Sequence, residues 1–126
     1  MQSNFRRSNP AALRSAERRQ REDDAPRLKA AAPTLKTLQI AVVEEHAGGS
    51  SKHIKHVVVD RAPALFVLPC GDSNCVDGGH DVTQEVLSAM RSKATSASGD
   101  STCSGMTGSA PCSRRIHFDL TATYEP

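Results

Sequence analysis

Four cysteines in two pairs constrain this chain more than any other feature. Cys70 and Cys75 are separated by four residues in LPCGDSNCVDGGHD, Cys103 and Cys112 by eight in CSGMTGSAPC, and 27 residues lie between the pairs. The first pair follows an apolar run and the second precedes one. Two turns from separate elements, each giving two thiolates, is how small domains build a closed tetrahedral site, and zinc is the ion such ligands select. The four-residue spacer fits that pattern, and the eight-residue spacer is longer than the pattern uses. Glycines at 71, 78, 79, 105 and 108 suit loops wrapped closely around an ion.

Other uses of the cysteines stand beside this one. Four thiols can form disulfides in three connectivities, or pack as small apolar residues. His80 or His117 could replace a cysteine in a mixed site. Cys70 or Cys75 with His80 and Asp81 supplies the residue types of a thiol nucleophile, a base and an orienting acid, but types so close in sequence rarely converge in space. The reading adopted is a structural Zn2+ held by Cys70, Cys75, Cys103 and Cys112, with His80 a solvent-exposed or loop-bracing imidazole and no enzymatic activity.

The chain is 126 residues long, room for one domain, and it has no tryptophan, three phenylalanines and one tyrosine. A large core is not expected. Residues 9–23 have helix-forming composition, with Asn9 as a cap and Pro10 in the first turn, but no continuous apolar stripe. Pro26 and Pro33 bracket RLKAAA as a linker. Residues 1–33 therefore read as a flexible basic arm and 34–126 as the folded domain.

Within the domain, period-two patterning predicts strands over 35–45, 53–60 and 64–68. Residues 81–93 read as an amphipathic helix, with Asp81 as N-cap and Val82, Val86 and Met90 on one stripe. Residues 94–111, rich in Ser, Thr and Gly, read as a long loop. Residues 116–124 alternate cleanly as a final strand, with Ile116, Phe118, Leu120, Ala122 and Tyr124 on one face. The fold expected is α+β: a small, mostly antiparallel four-stranded sheet in the order β-β-β-α-β, one covering helix, and the four-cysteine zinc site at the sheet end.

Charge is uneven. Residues 1–29 hold eight basic and four acidic side chains, and residues 30–126 hold eight basic and ten acidic. Arg6, Arg7, Arg14, Arg18, Arg19 and Arg21 make the arm a candidate phosphate-binding segment for RNA, DNA or a ribonucleoprotein. The scarcity of aromatic stacking surfaces weighs against single-stranded nucleic acid, and an acidic protein partner fits the same charge. Glu44 and Glu45, adjacent in sequence, read as solvated charge. No apolar run of membrane-spanning length and no apolar signal core is present, so the expected location is cytoplasmic.

At LPCGDSNCVDGGHD, followed by a helix and then C-x-G-x6-C-x-R-R-I-H-F, the chain resembles small bacterial four-cysteine proteins of zinc-ribbon-like type that carry no assigned activity. The resemblance covers about residues 53–124. It implies metal binding and transfers no catalytic residue.

Overall fold

The computed structural model describes residues 10–46, 48–76 and 78–126, with side chains described from residue 16 onward. Arg6, Arg7 and the expected cap Asn9 lie outside the described residues, as does the side chain of Arg14. In chain order the elements are α1 (Pro10–Asp24), the single turn α2 (Leu28–Ala31), β1 (Leu35–His46), β2 (Gly49–Val57), β3 (Val67–Leu68), β4 (Cys75–Val76), β5 (His80–Asp81), α3 (Thr83–Arg91), β6 (Ser96–Thr102), β7 (Met106–Thr107), β8 (Ala110–Pro111) and β9 (Arg115–Tyr124).

The main sheet has four strands in the order β2-β1-β9-β6, every pair antiparallel. Alternation drives it. In β9, Ile116, Phe118, Leu120 and Ala122 are buried while the residues between them are exposed, and each large side chain so buried contributes about 1.5–3 kcal/mol. In β1 the buried positions are Leu35, Leu38, Ile40, Val42 and Glu44. Leu35 and Leu38 are three apart, which strict alternation forbids. An irregularity in the pairing with β9 between Leu35 and Thr37 inserts the extra residue and returns Leu38 to the core side.

α3 covers that face. Val82, Val86 and Met90, the stripe expected from the sequence, are buried together with Ala89 in one cluster with the sheet residues. The helix begins one residue later than expected: Val82 is the cap residue and the Asp81 carboxylate accepts the Thr83 N–H at 3.1 Å.

The sheet is antiparallel and four-stranded, but its make-up is not β-β-β-α-β. The segment 64–68 is extended and apolar, with Ala64, Phe66 and Leu68 buried. It pairs with 80–81 as a two-stranded ladder, β3 with β5, and not with the sheet. Its place is taken by β6, which the sequence presents as loop. Gly99 of β6 lies opposite Phe118, and a Cβ at Gly99 would meet the Phe118 ring 2.8 Å away. The small residues that make 96–102 look unstructured are what let it lie beside Phe118.

The domain also begins earlier than residue 34. Leu28 is completely buried and Ala32 nearly so. The Leu28 N–H donates to Ala62 O at 2.9 Å, and the Ala64 N–H donates to Pro26 O at 2.8 Å. Leu28 and Ala32 fall on one face of a helical turn, so RLKAAA packs although two prolines flank it. Further out, Arg21 of α1 pairs with Asp81 at 2.5 Å, both exposed. Among the described residues no helix is long and apolar enough to cross a membrane.

Candidate metal centre

At one end of the sheet a second, three-stranded ladder, β4-β7-β8, carries Cys75 and lies between the turns that hold the other three cysteines. The first pair is shaped by Asp72. Its carboxylate accepts the Asn74 N–H at 2.9 Å, its carbonyl accepts the Cys75 N–H at 3.0 Å, and its own N–H donates to Cys70 Sγ at 3.5 Å. This tight turn closes the four-residue spacer.

The eight-residue spacer is closed differently. β7 and β8 form a hairpin with Thr107 opposite Ala110, leaving Gly108 and Ser109 as the turn. Gly108 has φ +65°, which two-residue hairpin turns require and a side chain disfavours. The hairpin returns Cys112 to Cys103: the Cys112 N–H donates to Gly105 O and the Cys103 N–H to Arg114 O, both at 2.9 Å. β4 pairs with β7, Cys75 opposite Thr107, and so joins the two cysteine turns.

The four sulfurs all lie within 4.8 Å of one another. Cys75 and Cys103 Sγ are 3.6 Å apart, Cys70 and Cys112 Sγ 3.8 Å. A tetrahedron of thiolates with metal–sulfur distances of about 2.3 Å has edges of about 3.8 Å. All four are free thiols. Cys103 Sγ accepts N–H groups from Gly79 and Gly105, each at 3.3 Å. The glycines are steric necessities: a Cβ on Gly78 would overlap the sulfurs of Cys75 and Cys103, and one on Gly105 would stand 2.5 Å from Cys75 Sγ and Gly78 Cα. The donor set suits a soft divalent ion.

Without a cation Cys70 and Cys75 keep their protons. Burial, reinforced by the neighbouring sulfurs, pushes the Cys70 thiol up to about 11 and that of Cys75 higher still. Cys112 is held below its ordinary value, because the Arg114 N–H and hydrogen bonds from Cys103, Thr107 and Cys75 outweigh its burial. An ion binding here must displace protons, so affinity falls as pH falls.

Neither histidine joins this group. His80 is completely buried and not solvent-exposed. Its Nδ1 lies 3.3 Å from Ser101 Oγ, which braces β5 against β6, and its Nε2 has no hydrogen-bond partner among the described residues. Burial lowers its pKa against the attraction of Glu44. His117 is exposed and bonded to Asp100 at 3.0 Å, which raises its pKa. The thiol–imidazole–carboxylate arrangement does not form either, since Asp81 turns outward to Arg21 and Thr83.

Two residues that hold the centre in place were not read as such in the sequence. Glu44, expected as solvated charge, is buried; it accepts Arg114 Nη1 at 2.8 Å and the Gly71 N–H at 2.9 Å. Arg114 also approaches Asp72 at 4.0 Å. One buried carboxylate thus fastens both cysteine turns to β1. Its signal was present: Glu44 continues the Leu38, Ile40, Val42 alternation onto the core face, and Glu45 does not.

Compared with known proteins, the chain matches no family model, no curated protein and no solved structure.

Proposed function

We propose that this chain is a small zinc-stabilised binding module, in which Cys70, Cys75, Cys103 and Cys112 hold one Zn2+ and a basic N-terminal arm contacts RNA, DNA or a ribonucleoprotein. The observation that carries the metal reading is the sulfur cluster, in which two separations of 3.6 and 3.8 Å lie close to the edge of a thiolate tetrahedron, about 3.8 Å. The ion contributes charge and cross-linking, and the chain contributes its geometry: backbone N–H groups partly offset the surplus negative charge of four thiolates. Four protein ligands would leave no open position on the ion, so the role read for it is structural and no catalysis is assigned to it.

Support for the arm is its charge. Arg19 and Arg21 are exposed on α1, and Arg14 lies on the same helix. A second reading, a protein-interaction adaptor for an acidic partner, is favoured by edge strand β2. There Lys52, Ile54 and His56 share one face by alternation, with Ile54 49 % exposed.

Protein purified under reducing conditions should carry one zinc per chain. Cobalt in its place should give the absorption of a tetrahedral tetrathiolate centre that azide does not change. Zinc-free protein with native circular dichroism and four reactive thiols would sink the metal reading, and a cobalt spectrum that shifts on adding azide would reopen catalysis. For the arm, binding to single-stranded RNA that neutralises about four to six phosphates should fall with log salt at a slope of roughly −3 to −4. Deletion of residues 1–24 should abolish most of it. No RNA or DNA binding at low salt would leave the adaptor reading ahead.

A further inference from the structure

The four cysteines are not equally exposed. Cys103 and Cys112 are 6 % and 3 % exposed. Cys75 is half-buried, but Gly78 and Gly105 wall its sulfur so closely that neither could carry a Cβ. Cys70, also half-buried, opens onto a cavity of about 320 Å3 lined by Glu44, His46, Ser51, His53, Cys70 and Arg114 among others.

The two imidazoles are oddly placed for a strand pair. In the β1–β2 register Ser51 lies opposite Glu44 and His53 opposite Val42, so His46, Ser51 and His53 occupy the side of the ribbon on which Ile40 and Val42 are buried. On β2 that side is uncovered: Gly49 to His56 are all exposed. His46 Nε2 and Ser51 Oγ are 3.1 Å apart. Glu44 is already engaged by Arg114 and the Gly71 N–H, which leaves His53 and the second ring nitrogen of His46 as the metal-binding groups at the mouth.

An ion in a closed four-thiolate site cannot leave as a bare cation, because the cost of stripping all ligands at once is prohibitive. It exchanges stepwise, one incoming ligand replacing one thiolate, and neutral imidazole is an ordinary zinc ligand. Such replacement needs a sulfur reachable from solvent with a donor beside it. Resting on the zinc reading above, we propose that this cavity is the port of metal exchange: Cys70 is the thiolate that detaches first, and His46 and His53 are transfer ligands that pass a divalent ion between solvent and the four cysteines. Cys103, doubly hydrogen-bonded at its sulfur and buried, is the last to let go.

The test is the rate at which a chelator removes zinc from the loaded, full-length protein, and the rate at which added cadmium replaces it. The doubly substituted His46→Ala, His53→Ala protein should exchange roughly tenfold more slowly than wild type, in line with the loss of supporting groups around metal sites. Its zinc content and melting temperature should be unchanged. His56→Ala, on the opposite face of the same strand, should exchange like wild type. His46→Gln with His53→Gln serves as a second variant that keeps polarity without a comparable ligand, and it too should be slow. Unchanged rates in both double variants, or equal slowing in His56→Ala, would overturn the port. A wild-type protein that takes up no zinc would instead overturn the centre itself, and that outcome is read directly from metal content before any rate is measured.

Discussion

Across the four-stranded sheet, Leu38, Ile40, Val42, Ile116, Phe118 and Leu120 bury one another beneath α3. Across β4, β7 and β8, by contrast, every strand is two residues long and none contributes to that core. The sheet is stabilised by removing apolar side chains from water. The cysteine ladder has almost none to remove, and what gathers there is sulfur, backbone N–H and glycine. A chain with so few aromatics thus divides its stability between a modest apolar core and, on the zinc reading, a metal cross-link. Among the described residues, Glu44 with Arg114 and Gly71, His80 with Ser101, and short backbone ladders tie the halves together.

Metal removal should separate the two regions most sharply. Structural zinc binds small peptides with roughly 10–16 kcal/mol, so chelation should leave the amides of Gly79, Cys103, Gly105 and Cys112 nearly as exchangeable as in an unfolded chain. Those of Ile40, Val42, Phe118 and Leu120 should stay protected. Hydrogen exchange with and without chelator reads this residue by residue. Simultaneous loss of protection throughout would show that the halves form one cooperative unit.

Glycine substitutions should act on one region at a time. Gly78→Ala or Gly105→Ala forces a methyl group into the sulfur cluster and should weaken zinc binding by about 10–100-fold while the sheet still folds. Gly99→Ala presses instead on Phe118; it should cost about 1–3 kcal/mol of sheet stability and leave zinc content intact. Denaturant titration beside metal analysis checks both. A Gly99 variant that loses metal as fully as a Gly78 variant would erase the distinction.

The apolar half was mostly legible in the sequence, and the reasons for the exceptions are physical. β1, β9 and α3 announce themselves because burial on one face imposes a period, which their apolar residues keep except at the irregularity between Leu35 and Leu38. β6 has no such period: Gly99 is small because Phe118 needs the space, a tertiary demand invisible locally. Leu28 was hidden by the prolines around it. The four cysteines could be read as a ligand set from their pairing, but the long second spacer made geometric sense only once 106–111 had folded into a hairpin with Gly108 at its turn. Glu44 and Glu45 look like a pair of solvated charges because they are adjacent, yet alternation assigns the two to opposite faces.

Glu44 is also where the halves are fastened. Glu44→Gln should destabilise by about 2 kcal/mol, less than a fully buried pair would cost because Arg114 is partly exposed. It should weaken metal retention as well, since the Gly71 N–H loses its carboxylate. Glu44→Gln combined with Arg114→Met should cost less than the sum of the two single changes, because the stranded guanidinium is removed with its partner. Strict additivity in denaturant titrations would show that the pair is not what couples the regions.

The smallest effect expected lies at the other fastening, His80. Burial holds its folded-state pKa below the unfolded value of 6.5, so the unfolded chain binds the proton more readily. The imidazole's neutral form contributes stability that is fully present above pH 6.5 and is lost as pH falls below it toward the folded-state pKa. His117 has the opposite sign: its raised pKa adds stability at low pH that disappears as pH rises through the folded value. Because His117 is exposed, solvent screens its interaction with Asp100 and His80 should dominate the net slope. Denaturant midpoints measured across this range on zinc-saturated protein should therefore fall toward acid, and His80→Gln should flatten the curve without altering zinc content. If the variant keeps the wild-type slope, the acid sensitivity belongs to the thiolate centre, and His80 is a brace whose protonation the fold tolerates.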